Sequence, residues 1–134
     1  MKYEVGQELP SREFKITRDC LVRYAGASGD FNPIHYRDDV AKAVGLPGVL
    51  AHGMLTMGIA VQVAVDSFGG SGQILDYQVR FTKPVLVDAK DGASLSVSAT
   101  VSEVDEPAGT VRLSLTATCG GQTVLGKAQV LVRL

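Results

Sequence analysis

This sequence contains no tryptophan, only two cysteines and two histidines, and almost no excess of charge of either sign. Thirteen lysines and arginines stand against 14 aspartates and glutamates, giving a formal net charge of −1. A nucleic-acid-binding protein would normally show a basic excess, so we expect no nucleic-acid partner. Cys20 and Cys119 are too few for a disulfide framework, and they lack the spacing of zinc ligands. A disulfide-rich secreted module and a structural zinc site are therefore excluded.

We also expect no secretory leader, because Met1–Gly6 contains no apolar run. We therefore expect a cytoplasmic protein whose cysteines are reduced thiols. What is present is an ordinary globular composition, with 46% hydrophobic and 20% charged residues in 134. This length and composition predict a single domain over residues 1–134.

Residues 43–65 contain no lysine, arginine, aspartate or glutamate, a window long enough to suggest a membrane span. Pro47 and Gly48 interrupt it, so that only residues 53–65 can form a continuous helix. At about 1.5 Å per residue such a helix is roughly 20 Å long, whereas a bilayer core is about 30 Å thick. We therefore predict no membrane span and an apolar helix enclosed by other elements of the fold.

The hydrophobic period changes from helical to strand-like along the chain. Thr17 can cap a helix that Gly26 and Gly29 end, and a second short helix is expected over residues 37–44. Residues 94–102 and 111–119 alternate polar with apolar, which predicts strands with one covered face. The order predicts an α+β fold in which an antiparallel sheet of about five strands curls around helix 53–65. An open edge strand would favour dimerisation.

The densest polar cluster is the loop over residues 28–35, where Asp30 and His35 stand five positions apart. A carboxylate and an imidazole on one shaped loop can hold a water molecule and move two protons, which is general acid–base chemistry. The structural alternative is a loop in which Asp30 caps backbone amides and His35 packs beside it. Spacing alone favours this structural alternative.

His52 and Gly53 immediately precede the apolar helix. Amides at a helix N-terminus carry partial positive charge and glycine allows close approach, so the Gly53 amide could stabilise a carbonyl oxygen that becomes negative. The alternative is that His52 only flanks the helix and Gly53 forms a tight turn. We favour the structural alternative for His52 and leave both readings open for Gly53.

Three segments together resemble a known family. Residues 24–35 (YAGASGDFNPIH) followed by Ala41, then residues 51–56 (AHGMLT) and residues 79–85 (VRFTKPV), are similar to the signature of MaoC-like (R)-specific hydratases and dehydratases. The resemblance covers essentially the whole chain in order. It implies a hot-dog fold, in which the sheet wraps a central helix, and a hydro-lyase of fatty-acid metabolism that hydrates trans-2-enoyl thioesters or dehydrates (3R)-hydroxyacyl thioesters. It implies no cofactor and no metal.

The same resemblance assigns roles to residues of this sequence. Asp30 and His35 would bind the water that adds or leaves, the Gly53 amide would hold the thioester carbonyl, and Ser28 and Asn32 would shape the loop. The implied partners are an acyl-CoA or acyl carrier protein thioester, together with a second copy of the chain or a related hot-dog subunit.

Two other functions are alternatives for a chain of this kind. A hot-dog acyl thioesterase commonly places a carboxylate on the central helix, and residues 53–65 contain none. A non-catalytic acyl-binding or scaffold subunit should have lost the Asp30 and His35 pair, which this chain keeps. Both alternatives are therefore disfavoured.

Overall fold

The computed structural model describes residues 2–134, so Met1, which the single-domain prediction includes, lies outside the described residues. The first half holds strand β1 (Glu8–Ile16) and four helices, α1 (Arg18–Ser28), α2 (Asp38–Ala43), α3 (Gly53–Ala60) and α4 (Gln62–Ser67), with a 3₁₀ turn at Pro33–His35. The second half holds strands β2 (Gln73–Phe81), β3 (Ala93–Asp105), β4 (Thr110–Cys119) and β5 (Gln122–Arg133).

The five strands form one antiparallel sheet in the order β1-β3-β4-β5-β2. The predicted alternation is confirmed, because every second residue is buried from Ala93 to Val101 of β3 and from Val111 to Ala117 of β4. The inward residues of these two strands include Leu95, Val97, Ala99, Val101, Val111, Leu113, Leu115 and Ala117. This sheet with a central helix confirms the predicted α+β hot-dog architecture.

The central helix divides into α3 and α4 at Val61, where the Ala64 amide bonds to the Val61 carbonyl in a tighter turn. Ala60, Val63 and Ala64 are buried against the sheet. Met54, in contrast, is 61% exposed, so the expectation of a helix enclosed on all sides is wrong for the single chain. A one-layer sheet covers one side of a helix and leaves the opposite side open.

The predicted N-terminal cap of α1 is confirmed. Of the two glycines predicted to end the helix, Gly29 does so and Gly26 does not. The Thr17 side chain accepts a hydrogen bond from the Cys20 amide, and Gly29 ends the helix with φ +77°. Gly26 lies inside the helix, since a glycine on an exposed helical face weakens a helix without breaking it. The helix therefore ends at Gly29, where the loop over residues 29–37 begins.

The entry to α3 is fixed by backbone pairing. The Ala51 amide bonds to the Val85 carbonyl at 2.8 Å and the Val87 amide to the Val49 carbonyl at 3.0 Å. Asp38 adds a side-chain bond to the Val49 amide and an ion pair with Arg18. None of the helices in residues 2–134 has both the length and the apolar character needed to cross a bilayer.

Candidate active site

Three side-chain hydrogen bonds shape the polar loop. Ser28 Oγ accepts from the Asp30 amide at 3.1 Å, and Asp30 Oδ1 accepts from the Asn32 amide at 3.2 Å. Asn32 Oδ1 accepts from the Ile34 amide at 3.3 Å, just where Pro33 begins the 3₁₀ turn. Each polar side chain thus caps the amide two residues ahead, as the structural alternative proposed. This capping engages Asp30 Oδ1 and leaves Oδ2 without a partner among residues 2–134.

The ring of His35 is buried and held in one tautomer. Its Nδ1 lies 2.7 Å from the Leu50 carbonyl oxygen. Because a carbonyl can only accept, Nδ1 carries the hydrogen, and Nε2 is the nitrogen with a lone pair in the neutral ring. His35 therefore has a basic nitrogen available for proton transfer.

The loop brings the two predicted acid–base residues together. An Asp30 carboxylate oxygen and one ring nitrogen each of His35 and His52 lie within 4.8 Å of one another. Asp30 is exposed, whereas both histidines are buried. A carboxylate and an imidazole this close can share one water molecule, which is the arrangement that general acid–base chemistry requires.

His52 is the third member of this cluster, although the sequence pattern favoured it only as a residue that flanks the helix. Its side chain is 1% exposed, and its Nε2 donates to the Asp30 backbone carbonyl at 3.1 Å. Its ring stacks on His35 with centroids 3.8 Å apart and planes 23° apart. Tyr24 meets it edge-on at 4.7 Å. The one feature of the sequence that could have indicated His52 is that its polar ring immediately precedes an apolar helix.

Burial lowers the pKa of His52 below its ordinary value, and the nearby His35 lowers it further. The hydrogen bond to the Asp30 carbonyl and the Asp30 charge act in the opposite direction. The net direction is downward, which favours a neutral His52 ring at neutral pH.

Asp30, His35 and His52 are also residue types that bind metals, but their arrangement suits an ion poorly. Each histidine already directs one ring nitrogen at a backbone carbonyl. Imidazole lone pairs lie in the ring plane, so two stacked rings aim them side by side rather than at one point. That the chain uses no metal stays a prediction.

Gly53 is the first residue of α3, a position whose amide has no acceptor within the helix. It lines a mainly apolar pocket of about 280 Å³, together with Leu50, Ala51, Thr56, Phe81, Thr82, Lys83, Pro84, Val85, Val124 and Leu125. A Cβ at Gly53 would lie 3.0 Å from Phe81 Cε1, so the ring packs directly on the glycine. Asp30 and His35 are not in this lining. Leu50 connects the two places, since it lines the pocket and its carbonyl holds His35.

Comparison with known proteins gives a consistent result. The family model described as "MaoC like domain" matches residues 2–118. A 3-hydroxyacyl-thioester dehydratase X of Mycobacterium tuberculosis is 41% identical over 83 residues, which are 62% of this chain. An (R)-specific enoyl-CoA hydratase of Rhodospirillum rubrum is 30% identical over 119 residues, covering 87% of this chain and 80% of the relative.

Among solved structures, one described as a MaoC-like dehydratase superposes with a TM-score of 0.95 at 38% identity over 98% of this chain. The chain spans only 41% of that solved chain and 29% of the M. tuberculosis relative. The R. rubrum relative is the one of these three whose length this chain mostly covers.

Proposed function

The chain belongs to the MaoC-like domain family, and we propose that it is a hydro-lyase for acyl thioesters. In one direction it adds water to a trans-2-enoyl thioester, and in the other it dehydrates the (3R)-hydroxyacyl thioester. The observation that carries the proposal is the meeting of the Asp30 carboxylate with the His35 ring, whose Nε2 has a free lone pair. The names of the matched hydratase and dehydratase support the same reaction class.

Asp30 and His35 would hold the water and divide its two protons. In hydration, one group takes a proton from the water as the oxygen bonds to C3, and the other, in its protonated form, delivers a proton to C2. Dehydration reverses both transfers and releases water. Ser28 and Asn32 serve this pair by holding the loop in shape.

The Gly53 amide would bind the thioester carbonyl. Its hydrogen is unused within α3, and the positive end of the helix dipole adds to the attraction for an oxygen that gains charge. Polarising the carbonyl makes C3 electrophilic and stabilises an enolate-like state at C2. The apolar pocket beside Gly53 provides room for part of the substrate.

The direct test follows the absorbance of an enoyl thioester with purified protein. Asp30→Asn and His35→Asn should each lose roughly 10²–10⁴-fold in rate, the usual contribution of a positioned acid or base. Asp91→Asn is the matched control, because Asp91 lies in the exposed turn between β2 and β3 and is expected to keep full activity. Folded Asp30 and His35 variants with wild-type rates would refute the assignment.

The same assay separates the alternatives. Release of free thiol would indicate a thioesterase, but the only carboxylate on α3 or α4 is that of Asp66, which forms an ion pair with Arg12. A wild-type chain that binds acyl thioesters without turnover would indicate a supporting subunit, and co-purification would then identify its partner.

The carrier, the assembly and the location belong to the same proposal. We expect an acyl-CoA or acyl carrier protein thioester as substrate, a single hot-dog domain, a homodimer, or a heterodimer with a related subunit, and a cytoplasmic location. A series of enoyl chain lengths on both carriers would identify the substrate by its kcat/KM.

A further inference from the structure

We propose that His52 is a positioning residue of the site: its ring fixes the loop at Asp30 and the ring of His35 without touching the substrate. The proposal rests on the proposed function, since it gives His52 a task in the same reaction. The resemblance to known enzymes assigned His52 no role.

The first observation is a single long-range hydrogen bond. The bond from His52 Nε2–H to the Asp30 carbonyl is the one that joins residues 29–32 to a distant part of the chain within residues 2–134. The other bonds of this loop are local, running from Asp30 to Ser28 and from Asn32 to Asp30. His52 thus ties the backbone of Asp30 to the residue that precedes Gly53.

The second observation is the stack of rings. His52 lies between Tyr24, which meets its edge, and His35, which lies nearly parallel to it at 3.8 Å. A ring packed on one face and bonded at Nδ1 has little freedom to rotate, so His35 keeps one orientation. Because a misplacement of a reacting group by about 1 Å can cost about 10²-fold in rate, such support matters to catalysis.

The third observation is the burial of the His52 ring among titratable groups. The titratable groups that face His52 are Tyr24 of α1, Asp30 of the loop and His35 of the 3₁₀ turn. A charged His52 would repel the proton that His35 must carry during the reaction, whereas a neutral ring leaves that proton on His35. Its Nδ1 is buried and has no partner within residues 2–134, an arrangement that packing alone would not favour.

Two substitutions separate the hydrogen bond from the stack. His52→Gln places an amide donor near the position of Nε2 but removes the ring, whereas His52→Phe keeps a ring but has no donor. We expect His52→Phe to lose about 10²-fold in kcat with KM changed by less than about threefold, since it misplaces Asp30 rather than removing a binding contact. His52→Gln should recover part of this loss, and the acidic limb of its pH profile should shift.

A second measurement does not depend on activity. The chain has two histidines, so ¹⁵N spectra resolve two imidazoles, and the signal that remains in the His35→Asn variant belongs to His52. We expect His52 in the wild type to stay in the neutral Nε2–H form at pH 6.5, where an ordinary imidazole is about half protonated.

The outcomes are distinct. An active wild type whose folded His52 variants keep its kcat and pH profile overturns the positioning role alone. So does a His52 ring that titrates normally or carries its hydrogen on Nδ1, even if neither variant folds. A wild type that turns over no enoyl thioester overturns the proposed function and with it the positioning role, whatever the spectra show.

Discussion

At the scale of single residues, Gly53 illustrates how the absence of a side chain can leave a backbone amide accessible. The Phe81 ring packs against Gly53 at a distance that a methyl group would disturb. The same glycine begins α3, where the amide is unused by the helix. Access to this amide therefore depends on the Gly53 and Phe81 contact.

Gly53→Ala should lower kcat/KM roughly tenfold, a loss of about 1.4 kcal/mol in transition-state binding. The added Cβ would stand 3.0 Å from Phe81 Cε1, so the ring must move toward the pocket. Gly26→Ala is the matched control, because its Cβ would meet no atom within 4 Å. The control should keep full activity and gain about 0.4–1 kcal/mol of stability in urea unfolding. Equal kcat/KM for the two variants would contradict the role of Gly53.

The burial of His52 also allows a prediction of how the free energy of unfolding depends on pH. Burial lowers its pKa in the folded chain, so between that pKa and the ordinary value of about 6.5 the unfolded chain binds more protons. The contribution of His52 to the free energy of unfolding is therefore complete above about pH 6.5 and is lost as the pH falls below it. Urea unfolding from pH 7 to 5 should show a shallower decline for His52→Gln than for the wild type. Identical slopes would show that His52 titrates alike in both states.

Part of the site could be predicted from the sequence. The polar loop was recognisable because Asp30, Pro33 and His35 lie close together along the chain, and local spacing determines their geometry. The contacts of His52 with Tyr24 and His35 could not be predicted, because they arise only when distant segments pack. That tertiary packing leaves no local sequence signal.

At the scale of elements, the strands were the most predictable part. β4 and the part of β3 up to Val101 alternate polar with apolar, and one side of each is buried as that pattern requires. β1 runs from Glu8 to Ile16, and a register shift between Leu9 and Arg12 interrupts its pairing with β3. The division of the central helix at Val61 was not predictable, since residues 53–65 contain no proline and no charged residue that would mark it.

The buried side chains of β4 should contribute more to the free energy of unfolding than its exposed side chains do. Leu113 is fully buried in the hydrophobic core, so Leu113→Ala is expected to cost about 2–5 kcal/mol in the free energy of unfolding. Thr116 lies on the same strand and is exposed, so Thr116→Ala should stay within about 0.5 kcal/mol of the wild type. Chemical denaturation measures both, and similar losses would contradict the assignment of the two faces.

At the scale of the whole molecule, a single chain leaves apolar surface uncovered near the site. Met54 is 61% exposed on α3 and Phe81 is 56% exposed at the end of β2, an edge strand of the sheet. Exposed apolar side chains beside an open edge are typical of surfaces that meet another subunit. They support the proposed dimer.

Light scattering should therefore give a mass of twice 14.1 kDa for the purified chain, unless a related subunit is required. Met54→Glu places a charge on the exposed side of α3 and should weaken the dimer at least tenfold, or about 1.4 kcal/mol. Gln62→Glu adds the same charge at an exposed and already polar position, and the dimer should remain. A monomeric wild type that is fully active would contradict the proposed assembly.

Both histidines of the chain belong to one stack, so any change in the number of protons bound to histidine arises at this one place. Imidazole is the side chain whose ordinary pKa falls between pH 5 and 8. A ligand that reaches this stack is therefore expected to change the number of protons that the protein binds. Calorimetric titration in buffers of different ionisation heat would count them, and a thioester ligand that changes the count would reveal its arrival at the stack without any turnover.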